Sequence, residues 1–502
     1  MRRLVIFILF VLPGLVAHSQ NARQSALSEQ LREWKKANEG KTHQELFDEF
    51  ASRKASDFAS FTRQKELAFK AFLDSAWVHF EGIAPVQAPV LVNPNEVIHV
   101  PEGTQASTNA VEVQIDTIIT ENSPSIENDA FYFLEFPGDV IGSVEFELYG
   151  SVFSVSVDVG AIPRLRNISS AELSRVWKEY MNLEQLYKTQ MDCLCWRNVM
   201  EMGDWMYLQF LDKFAETVFG PDRNDSVLLR CFLLMASDLD FRLAKNGDSL
   251  YCLVHPDCNV YGFASFVINE KKYYLLEEVP LSSLEILDVS DGGLQALHFF
   301  DAKPGVLAEG DISTHTVVSK AYPDMKVEVR VNKGLIDYYS SYPVTYTESP
   351  FTKWIPYVRG NVYSDGFYEG LRPLLAGKSQ YEAVSMILNM MQTGFEYEED
   401  DTIWGHDRVF FPDETLYYSY SDCEDRAILF ARCVRDLLDM DSILVYYPGH
   451  LAAAVQFSED SVGESLMIDG KRYTVCDPVY IGAPVGMSLY SGEPVAATAI
   501  KF

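Results

Sequence analysis

The chain has 502 residues, which predicts two to four domains at roughly 100–200 residues each. Hydrophobic residues make up 48% and charged residues 23%, so most of the chain can bury a core instead of remaining disordered. Asp and Glu number 72 against 41 Lys and Arg, which gives a formal net charge of -31. Nucleic-acid binding and attachment to anionic membranes both depend on clustered Lys and Arg, so the charge argues against both.

The first segment has the layout of a secretory signal peptide. Arg2 and Arg3 precede an apolar run, residues 4–16, and the small residues Ala17 and Ser19 follow it. The apolar run is too short for a membrane span, and no later segment is apolar and uncharged over about 18 residues. We therefore predict a signal peptide at residues 1–19 and an exported product, periplasmic or extracellular, without a membrane span.

Residues 20–82 are predicted to be helical, with paired phenylalanines along one face. The F-x-x-F pair returns every 11 residues between Phe47 and Phe72, a period that keeps the stripe on one side of the helix. A helix lying on a membrane surface is the less favoured interpretation, because acidic and basic residues balance in this segment. We expect the stripe, within residues 44–82, to pack on the protein's own body or to mediate self-association.

The remaining chain divides by composition into three parts. Residues 83–127 are rich in Pro, Val, Thr and Ser and are predicted to be a linker with a strand at 111–119. Residues 128–350 are predicted to be a mixed α/β middle region and residues 351–502 a C-terminal domain, so the predicted fold class is α+β. Alternating apolar residues predict a strand pair within 131–159 and another strand at 326–331.

The order of one helix followed by three strands occurs twice. The first occurrence is a helix predicted at 226–243 followed by strands at 250–254, 261–268 and 272–276. The second is a helix at 423–438 followed by strands at 442–447, 451–457 and 471–475. The middle region is therefore a candidate degenerate copy of the C-terminal core. In this comparison Ser226 stands where the second copy has Cys423.

The eight cysteines are too sparse for a disulfide framework in a chain of this length. Cys252, His255 and Cys258 have a spacing that metal ligands can adopt, but C-x-x-H-x-x-C is weaker than the paired CxxC motifs of zinc sites. A local disulfide or ordinary packing is the favoured interpretation. We predict no metal site and no cofactor.

Residues 420–427 (YSDCEDRA) place a cysteine at the start of a predicted helix. Ser421, followed three residues later by Glu424, has the pattern of a capping box, so Cys423 is expected in the first helical turn. An unpaired backbone N–H and the helix dipole favour a thiolate there. The neighbouring carboxylates disfavour a thiolate, so the cysteine would need a base.

Two further residues could complete a nucleophilic site. His450 lies 27 positions after Cys423, at a predicted strand start, and Asp477 lies 27 positions after His450, at the end of the next strand. The three could meet at one sheet edge as nucleophile, general base and imidazole-orienting carboxylate. From spacing alone, a capped helix with a buried cysteine, a turn histidine and an Asp-Pro turn are the favoured interpretation. His406 is a second candidate for the base.

The runs DCEDRAILFA, YPGH and VCDP together resemble the transglutaminase-like cysteine-enzyme superfamily, especially its bacterial peptidase-like members. The resemblance covers about residues 375–485. It implies a papain-like α+β core in which Cys423, His450 and Asp477 are the catalytic triad. It also implies that the C-terminal domain is a transglutaminase-like domain.

The resemblance implies an exported cysteine hydrolase, a peptidase or amidase, acting on a peptide or peptidoglycan-like substrate. Hydrolysis is favoured over transfer to an amine because the sequence marks no amine-binding pocket. Trp404, Tyr418 and Tyr420 are candidates for the second oxyanion donor, since an N–H or O–H could reach the acyl oxygen. The alternative is a non-catalytic periplasmic or surface scaffold with a vestigial transglutaminase-like domain.

Overall fold

The computed structural model describes residues 142–277, 284–288, 293–308, 310–459, 463–491 and 495–502, together with the backbone of residues 84–85 and 90–92. The predicted signal peptide and the Phe-striped segment lie outside the described residues. Most of the predicted linker, including the strand predicted at 111–119, lies outside them as well. Within the part of the chain that the structure describes, no helix is long and apolar enough to cross a bilayer.

The described residues contain both helices and sheets, which confirms the α+β class. The helices, numbered in chain order, are α1 (Ser170–Asn182), α2 (Glu184–Val199), α3 (Asp204–Phe219), α4 (Arg223–Ala236), α5 (Lys333–Ser341), α6 (Ile355–Arg359), α7 (Phe367–Leu375), α8 (Gln380–Thr393), α9 (Asp400–Ile403), α10 (Pro412–Tyr417) and α11 (Cys423–Leu438). A 3-10 helix spans Pro350–Trp354.

The strands are β1 (Ala84–Pro85), β2 (Val90–Val92), β3 (Ser143–Leu148), β4 (Ser151–Ser156), β5 (Phe241–Asn246), β6 (Ser249–Val254), β7 (Asn259–Val260), β8 (Ala264–Ile268), β9 (Lys271–Leu275), β10 (Glu285–Asp288), β11 (Ile312–Val318), β12 (Lys326–Asn332), β13 (Thr345–Tyr346), β14 (Glu396–Tyr397), β15 (Tyr420–Ser421), β16 (Ser442–Tyr447), β17 (His450–Gln456), β18 (Ser465–Ile468), β19 (Lys471–Cys476) and β20 (Thr498–Ile500). The β3–β4 pair confirms the strand pair predicted within 131–159.

Two sheets organise the described chain. A seven-stranded sheet in the middle region has the order β1-β10-β5-β6-β9-β8-β2, and its two outer strands come from the segment predicted as a linker. A five-stranded sheet in the C-terminal domain has the order β18-β19-β17-β16-β20. The first of these sheets includes a strand that the sequence did not predict, because β5 was assigned to a helix reaching residue 243.

That prediction is wrong because α4 ends at Ala236. The chain then adopts a left-handed conformation at Asp238, with a φ of 60°, which a continuous helix cannot contain. From Phe241 the chain is extended and pairs on both sides, with β6 and with β10. The apolar residues of this segment are buried within the sheet. Their spacing resembles that of a helix, but the segment forms a strand.

The two sheets repeat one topology. We call α4 with β5, β6 and β8–β10 the middle core, and α11 with β16–β20 the C-terminal core. In each core a helix precedes an antiparallel hairpin, and strands follow in the order β10-β5-β6-β9-β8 or β20-β16-β17-β19-β18. The hairpins close identically, since Asn246 pairs with Ser249 and Tyr447 pairs with His450. The two cores therefore share one fold topology, but their strands correspond differently from the prediction, because β6 matches β17 and it is β5 that matches β16.

Helix α11 is the central helix of the C-terminal core. Its buried apolar face packs against α8 and β17, where Leu429 and Phe430 share a core with Ile387 and Val455. Burial of such a face stabilises the packing by about 1.5–3 kcal/mol per large apolar side chain. This packing fixes the first turn of α11 against the start of β17, which is where the candidate site lies.

Candidate active site

Cys423 is the first residue of α11, as predicted, but the helix is capped differently. Asp422 is the N-cap residue, and its backbone N–H donates to Oδ2 of Asp425 at 3.2 Å. The prediction of Ser421 as the N-cap is wrong because Ser421 lies in β15, which pairs with β14 and holds it extended. Its hydroxyl oxygen accepts a hydrogen bond from Nε of Arg426 at 3.0 Å instead.

The Cys423 thiol lies between a carboxylate and a backbone N–H. Its Sγ donates to Oε2 of Glu424 at 3.0 Å and accepts from the backbone N–H of Leu451. Burial, followed by the charges of Glu424 and Asp422, raises the pKa of the thiol well above its usual range, and the Leu451 N–H opposes this only in part. Burial, together with the carboxylates, therefore outweighs the helix dipole, and the resting thiol is neutral.

His450 and Asp477 form a buried pair. Nε2 of His450 lies 3.0 Å from Oδ2 of Asp477, and the two residues are only 6% and 0% exposed. The carboxylate accepts three further hydrogen bonds, from the backbone N–H groups of Val479, Tyr480 and Leu489. Asp477 is thus held in one orientation by four donors, and it holds the imidazole in turn.

The arrangement leaves Nδ1 of His450 available. Among the described residues, no hydrogen bond engages this nitrogen, and none joins the imidazole to Cys423 directly. Leu451 follows His450 in the chain, so its N–H bond to Sγ places the thiol beside the start of β17. The three predicted triad residues are therefore brought to one edge of the five-stranded sheet. His406 is exposed, and its Nδ1 meets the backbone oxygen of Trp404 at 3.0 Å.

Protonation of Asp477 is expected to lower the stability of the folded chain. Burial opposes ionisation of this carboxyl, yet the hydrogen bond and charge of His450 and the N–H groups of Leu489 and Val479 hold its pKa below the usual range. This contribution to stability is present above the unfolded-state pKa of about 3.9 and is lost as the pH falls through the lower folded-state pKa. Urea unfolding at a series of acidic pH values should show a shallower decline in Asp477→Asn than in the wild type.

The three predicted oxyanion donors form one aromatic cluster with Arg408. The ring of Tyr418 lies 5.4 Å from that of Trp404 and 5.8 Å from that of Tyr420, and the Arg408 guanidinium stacks 4.0 Å from the Trp404 ring centre. The Tyr418 hydroxyl is engaged by Arg408 and Ser340. Nε1 of Trp404 is buried with no partner among the described residues, so it is the unused donor of the cluster.

Tyr397 is a site residue that the sequence did not identify. Parallel pairing of β14 with β15 sets Tyr397 opposite Ser421, two residues before Cys423. Burial, and then the charges of Cys423 and Asp422, raise the pKa of Tyr397 to about 12. Its hydroxyl therefore keeps its proton at neutral pH and can donate. No local motif marks it, because the contact depends on pairing of two short distant strands.

Gln392 and Arg426 connect the segments that carry Cys423 and Asp477. The Gln392 side-chain amide donates to the backbone oxygens of Asp477 and Ala483, at 3.0 and 3.1 Å. The Arg426 guanidinium donates to the backbone oxygens of Gln392 and Phe395. Helix α8 is thereby tied both to the loop that carries Asp477 and to the first turn of α11. Both are positioning residues.

The candidate metal ligands of the middle region are not gathered around one point. Nδ1 of His255 meets the backbone oxygen of Lys272 at 2.8 Å. The buried thiol of Cys252 hydrogen-bonds with that of Cys231 across the α4–β6 contact. Cys258 is half-buried and a free thiol. The spacing of these residues therefore reflects packing around β6.

The middle core carries different chemistry at the three triad positions. Arg223 is the first residue of α4 and Ser249 the first of β6, as Cys423 and His450 are in α11 and β17. The third position is found through the sheet register. The fifth residue of β6 pairs with Leu275 and the fifth of β17 with Val475, so Asp477 corresponds to residue 277.

Residue 277 is Glu277, whose Oε2 lies 2.6 Å from Nη2 of Arg223. An ion pair thus occupies two of the three triad positions, and no thiol or imidazole is present. Ser226, predicted to correspond to Cys423, lies a turn inside α4, where its hydroxyl donates to the backbone oxygens of Asp222 and Ala215. That correspondence is wrong because the helix begins three residues earlier than predicted.

Comparison with known proteins gives no match: no family model, no curated protein and no solved structure is significantly similar to the chain. The resemblance of its three motifs to transglutaminase-like enzymes remains a prediction. What the chain offers towards a function is the geometry of Cys423, His450 and Asp477.

Proposed function

We propose that the chain is an exported transglutaminase-like cysteine hydrolase, a peptidase or amidase. In this proposal Cys423 is the nucleophile, His450 the general base and Asp477 the residue that orients the imidazole. The observation that carries it is the buried His450–Asp477 pair at 3.0 Å, with the Cys423 thiol hydrogen-bonded to the N–H of the residue that follows the histidine.

The proposed reaction begins with the neutral thiol. Nδ1 of His450 takes the proton from Sγ as the sulfur attacks the carbonyl carbon of the amide, and the carbonyl oxygen becomes an oxyanion. The imidazolium then returns the proton to the leaving amine, which departs and leaves a thioester on Cys423. Water attacks the thioester with His450 again as base, releasing a carboxylic acid and the free thiol. Asp477 stabilises the imidazolium throughout.

Oxyanion stabilisation has three candidate donors. The backbone N–H of Cys423 lies in the first turn of α11, where helices lack an internal partner. Nε1 of Trp404 is buried and unpaired among the described residues, and the Tyr397 hydroxyl stays protonated at neutral pH. A pair of such donors is worth about 3–4 kcal/mol per donor in transition-state stabilisation.

The acidic surroundings limit the proposed substrate. Asp422 is the N-cap of α11 and Glu424 and Asp425 lie in its first turn, beside the nucleophile. The formal net charge of -31 would repel a polyanionic substrate, while the backbone of a peptide or of a peptidoglycan-like chain would not be repelled. The proposed substrate class is therefore an amide in a neutral or cationic context.

Alkylation with an iodoacetamide probe tests the proposal. We expect labelling of Cys423 at neutral pH in the mature protein, and a fall of about 10²–10⁴-fold in its rate in His450→Ala, because the neutral thiol needs a base. Peptide mapping by mass spectrometry would measure the rate at each cysteine. Cys195 and Cys258 are half-buried like Cys423 and are internal controls that His450→Ala should leave unchanged.

A scaffold with a vestigial domain is the second candidate, and the bond from the Cys423 thiol to Glu424 favours it. A thiol held by a carboxylate and kept neutral is a poor nucleophile. Labelling of Cys423 no faster than that of Cys195 and Cys258, and insensitive to His450→Ala, would support the scaffold and contradict the hydrolase.

A further inference from the structure

The middle core has a cavity at the place that corresponds to the candidate active site. The cavity has a volume of about 360 Å³ and lies between residues 165–168 and the start of α4, with Ser249 also lining it. In the shared topology, Arg223 and Ser249 occupy the positions of Cys423 and His450. The volume falls within the range of about 300–1,000 Å³ that is typical of small-molecule sites. The cavity is therefore a candidate binding site in a core that has no triad.

Hydrogen bonds hold the walls of the cavity in place. Oδ1 of Asp225 accepts from the backbone N–H of Leu165 at 2.8 Å, which fixes the loop before α1 against the start of α4. The Asn224 side chain donates to the backbone oxygen of Asp248 and accepts from the N–H of Leu250, at 2.9 and 2.8 Å. These bonds tie the start of α4 to the β5–β6 hairpin. The cavity is thus formed before a ligand arrives, which lowers the entropic cost of binding.

Two of the four charged side chains that line the cavity are already paired. Oδ2 of Asp222 lies 2.7 Å from Nη1 of Arg164, and Oε2 of Glu277 lies 2.6 Å from Nη2 of Arg223. Among the described residues, no hydrogen bond joins Asp222 to Asp225, so these two carboxyl groups do not share a proton. A ligand would therefore meet the charges of the other two side chains.

Those other two side chains, Arg166 and Asp225, each present a group that no described residue engages. Asp225 is only 5% exposed, and within the described ranges its Oδ2 accepts no hydrogen bond. Burial raises the pKa of this carboxyl, and an ammonium group beside it would lower the pKa again. The Arg166 guanidinium is exposed and forms no ion pair with another described residue. A buried carboxylate oxygen without a donor costs free energy unless a ligand supplies one.

The start of α4 also offers donors for a carboxylate. The backbone N–H groups of Asn224 and Asp225 lie in the first turn, where a helix has no internal acceptor for them. The N-cap residue, Asp222, makes no side-chain cap bond to them. The Arg166 guanidinium can add a charged donor. The carboxylates of Asp222 and Asp225 disfavour a doubly charged phosphate here far more than a single carboxylate.

We propose that this cavity binds a free α-amino acid as its zwitterion, with the ammonium at Asp225 and the carboxylate at Arg166 and the first turn of α4. Such a ligand carries one charge of each sign on the same carbon, and the cavity leaves one charge of each sign without a partner. Leu165, Ile168 and Pro221 line the cavity as well, which fits an uncharged aliphatic side chain. This binding function goes beyond the proposed hydrolase and does not depend on it.

Calorimetric titration of the mature protein with L-leucine tests the proposal. We expect saturable binding of one leucine per chain. L-leucinamide lacks the carboxylate and isocaproic acid lacks the ammonium, so each should bind at least about tenfold more weakly. Glycyl-L-leucine holds the two charges further apart and should also bind more weakly. Absence of leucine binding, or binding of any of these three analogues as tight as that of leucine, would overturn the proposal.

Matched variants locate the charges that bind the ligand. Asp225→Asn keeps an oxygen for the N–H of Leu165 but removes the negative charge, and Arg166→Ala removes an exposed guanidinium. Each variant should weaken leucine binding at least about tenfold. Arg359→Ala changes an exposed arginine that does not line the cavity and should leave the affinity within about twofold. Affinities in Asp225→Asn and Arg166→Ala equal to that of Arg359→Ala would contradict the proposal.

Cys423→Ala separates the cavity from the candidate active site, which a free amino acid could also enter as a product of hydrolysis. Leucine binding that is unchanged in Cys423→Ala and weakened in Arg166→Ala supports the cavity, whether or not the chain is a hydrolase. Binding that is lost in Cys423→Ala and kept in Arg166→Ala would assign the ligand to the C-terminal core and overturn the proposal.

Discussion

Replacing Asp477 with asparagine is expected to slow alkylation of Cys423 at neutral pH by about 10²–10⁴-fold. The carboxylate accepts from Nε2 of His450 and keeps Nδ1 free of its proton, which is the nitrogen that would take the proton from the thiol. An asparagine offers either an amide N–H, which clashes with the Nε2 proton, or a neutral oxygen, which stabilises the imidazolium far less. The imidazole would lose both its tautomer and its charge partner.

The measurement is the second-order rate of iodoacetamide labelling at Cys423 in folded Asp477→Asn. Asp439→Asn is the matched control, because Asp439 is exposed at the end of α11 in a left-handed conformation with φ of 53°, which asparagine adopts readily. The control should react like the wild type. A rate in Asp477→Asn equal to that of the control would mean that the His450–Asp477 pair does not activate the thiol.

Arg426→Ala is expected to lower the free energy of unfolding of the C-terminal domain by about 3–5 kcal/mol. The Arg426 side chain is one of the largest fully buried ones, at 1% exposure. Its removal leaves a cavity, and the oxygens of Ser421, Gln392 and Phe395 lose the donor that they share. Two buried acceptors and one part-buried acceptor would lose their partners at once, so the loss exceeds that of an ordinary surface arginine.

Urea unfolding followed by tryptophan fluorescence would measure this loss. Arg359→Ala is the control, since Arg359 is exposed at the end of α6 and its removal should change stability by no more than about 0.5 kcal/mol. Equal effects in the two variants would show that the buried guanidinium is not what joins α8 to α11.

Local sequence determined much of the C-terminal core. The bounds of α11 and β16 agree with the prediction, and the triad residues lie at the predicted helix start, strand start and strand end. These features follow from short-range signals: a polar helix start, an apolar period of 3.6, and a Pro-Gly turn between two apolar runs. They need no knowledge of distant contacts.

Features set by distant contacts were missed. The N-cap moved from Ser421 to Asp422 because β14, about 25 residues upstream, holds Ser421 in a strand. Tyr397 reaches the site through the same pairing. Strand β5 lies between two partner strands and is buried on both faces, so its sequence does not show the apolar-polar alternation that predicts a strand. Its run of apolar residues was therefore interpreted as a helix. The bond from the thiol to Glu424 was also missed, since the sequence pattern had assigned that carboxylate to a capping role.

The repeated topology has a consequence for how the variants are interpreted. In the middle core the same helix start, strand start and strand end carry a guanidinium, a hydroxyl and a longer carboxylate, and the guanidinium and the carboxylate form the Arg223–Glu277 ion pair. The topology therefore folds with quite different side chains at these three positions, and its architecture does not depend on a thiol or an imidazole. The middle core thus shows, within the same polypeptide, the topology of the C-terminal core with all three of these residues replaced. Loss of reactivity in Cys423→Ala can accordingly be attributed to missing chemistry, whereas His450→Ala also removes the partner of the buried Asp477 carboxylate and needs a measurement of its stability beside it.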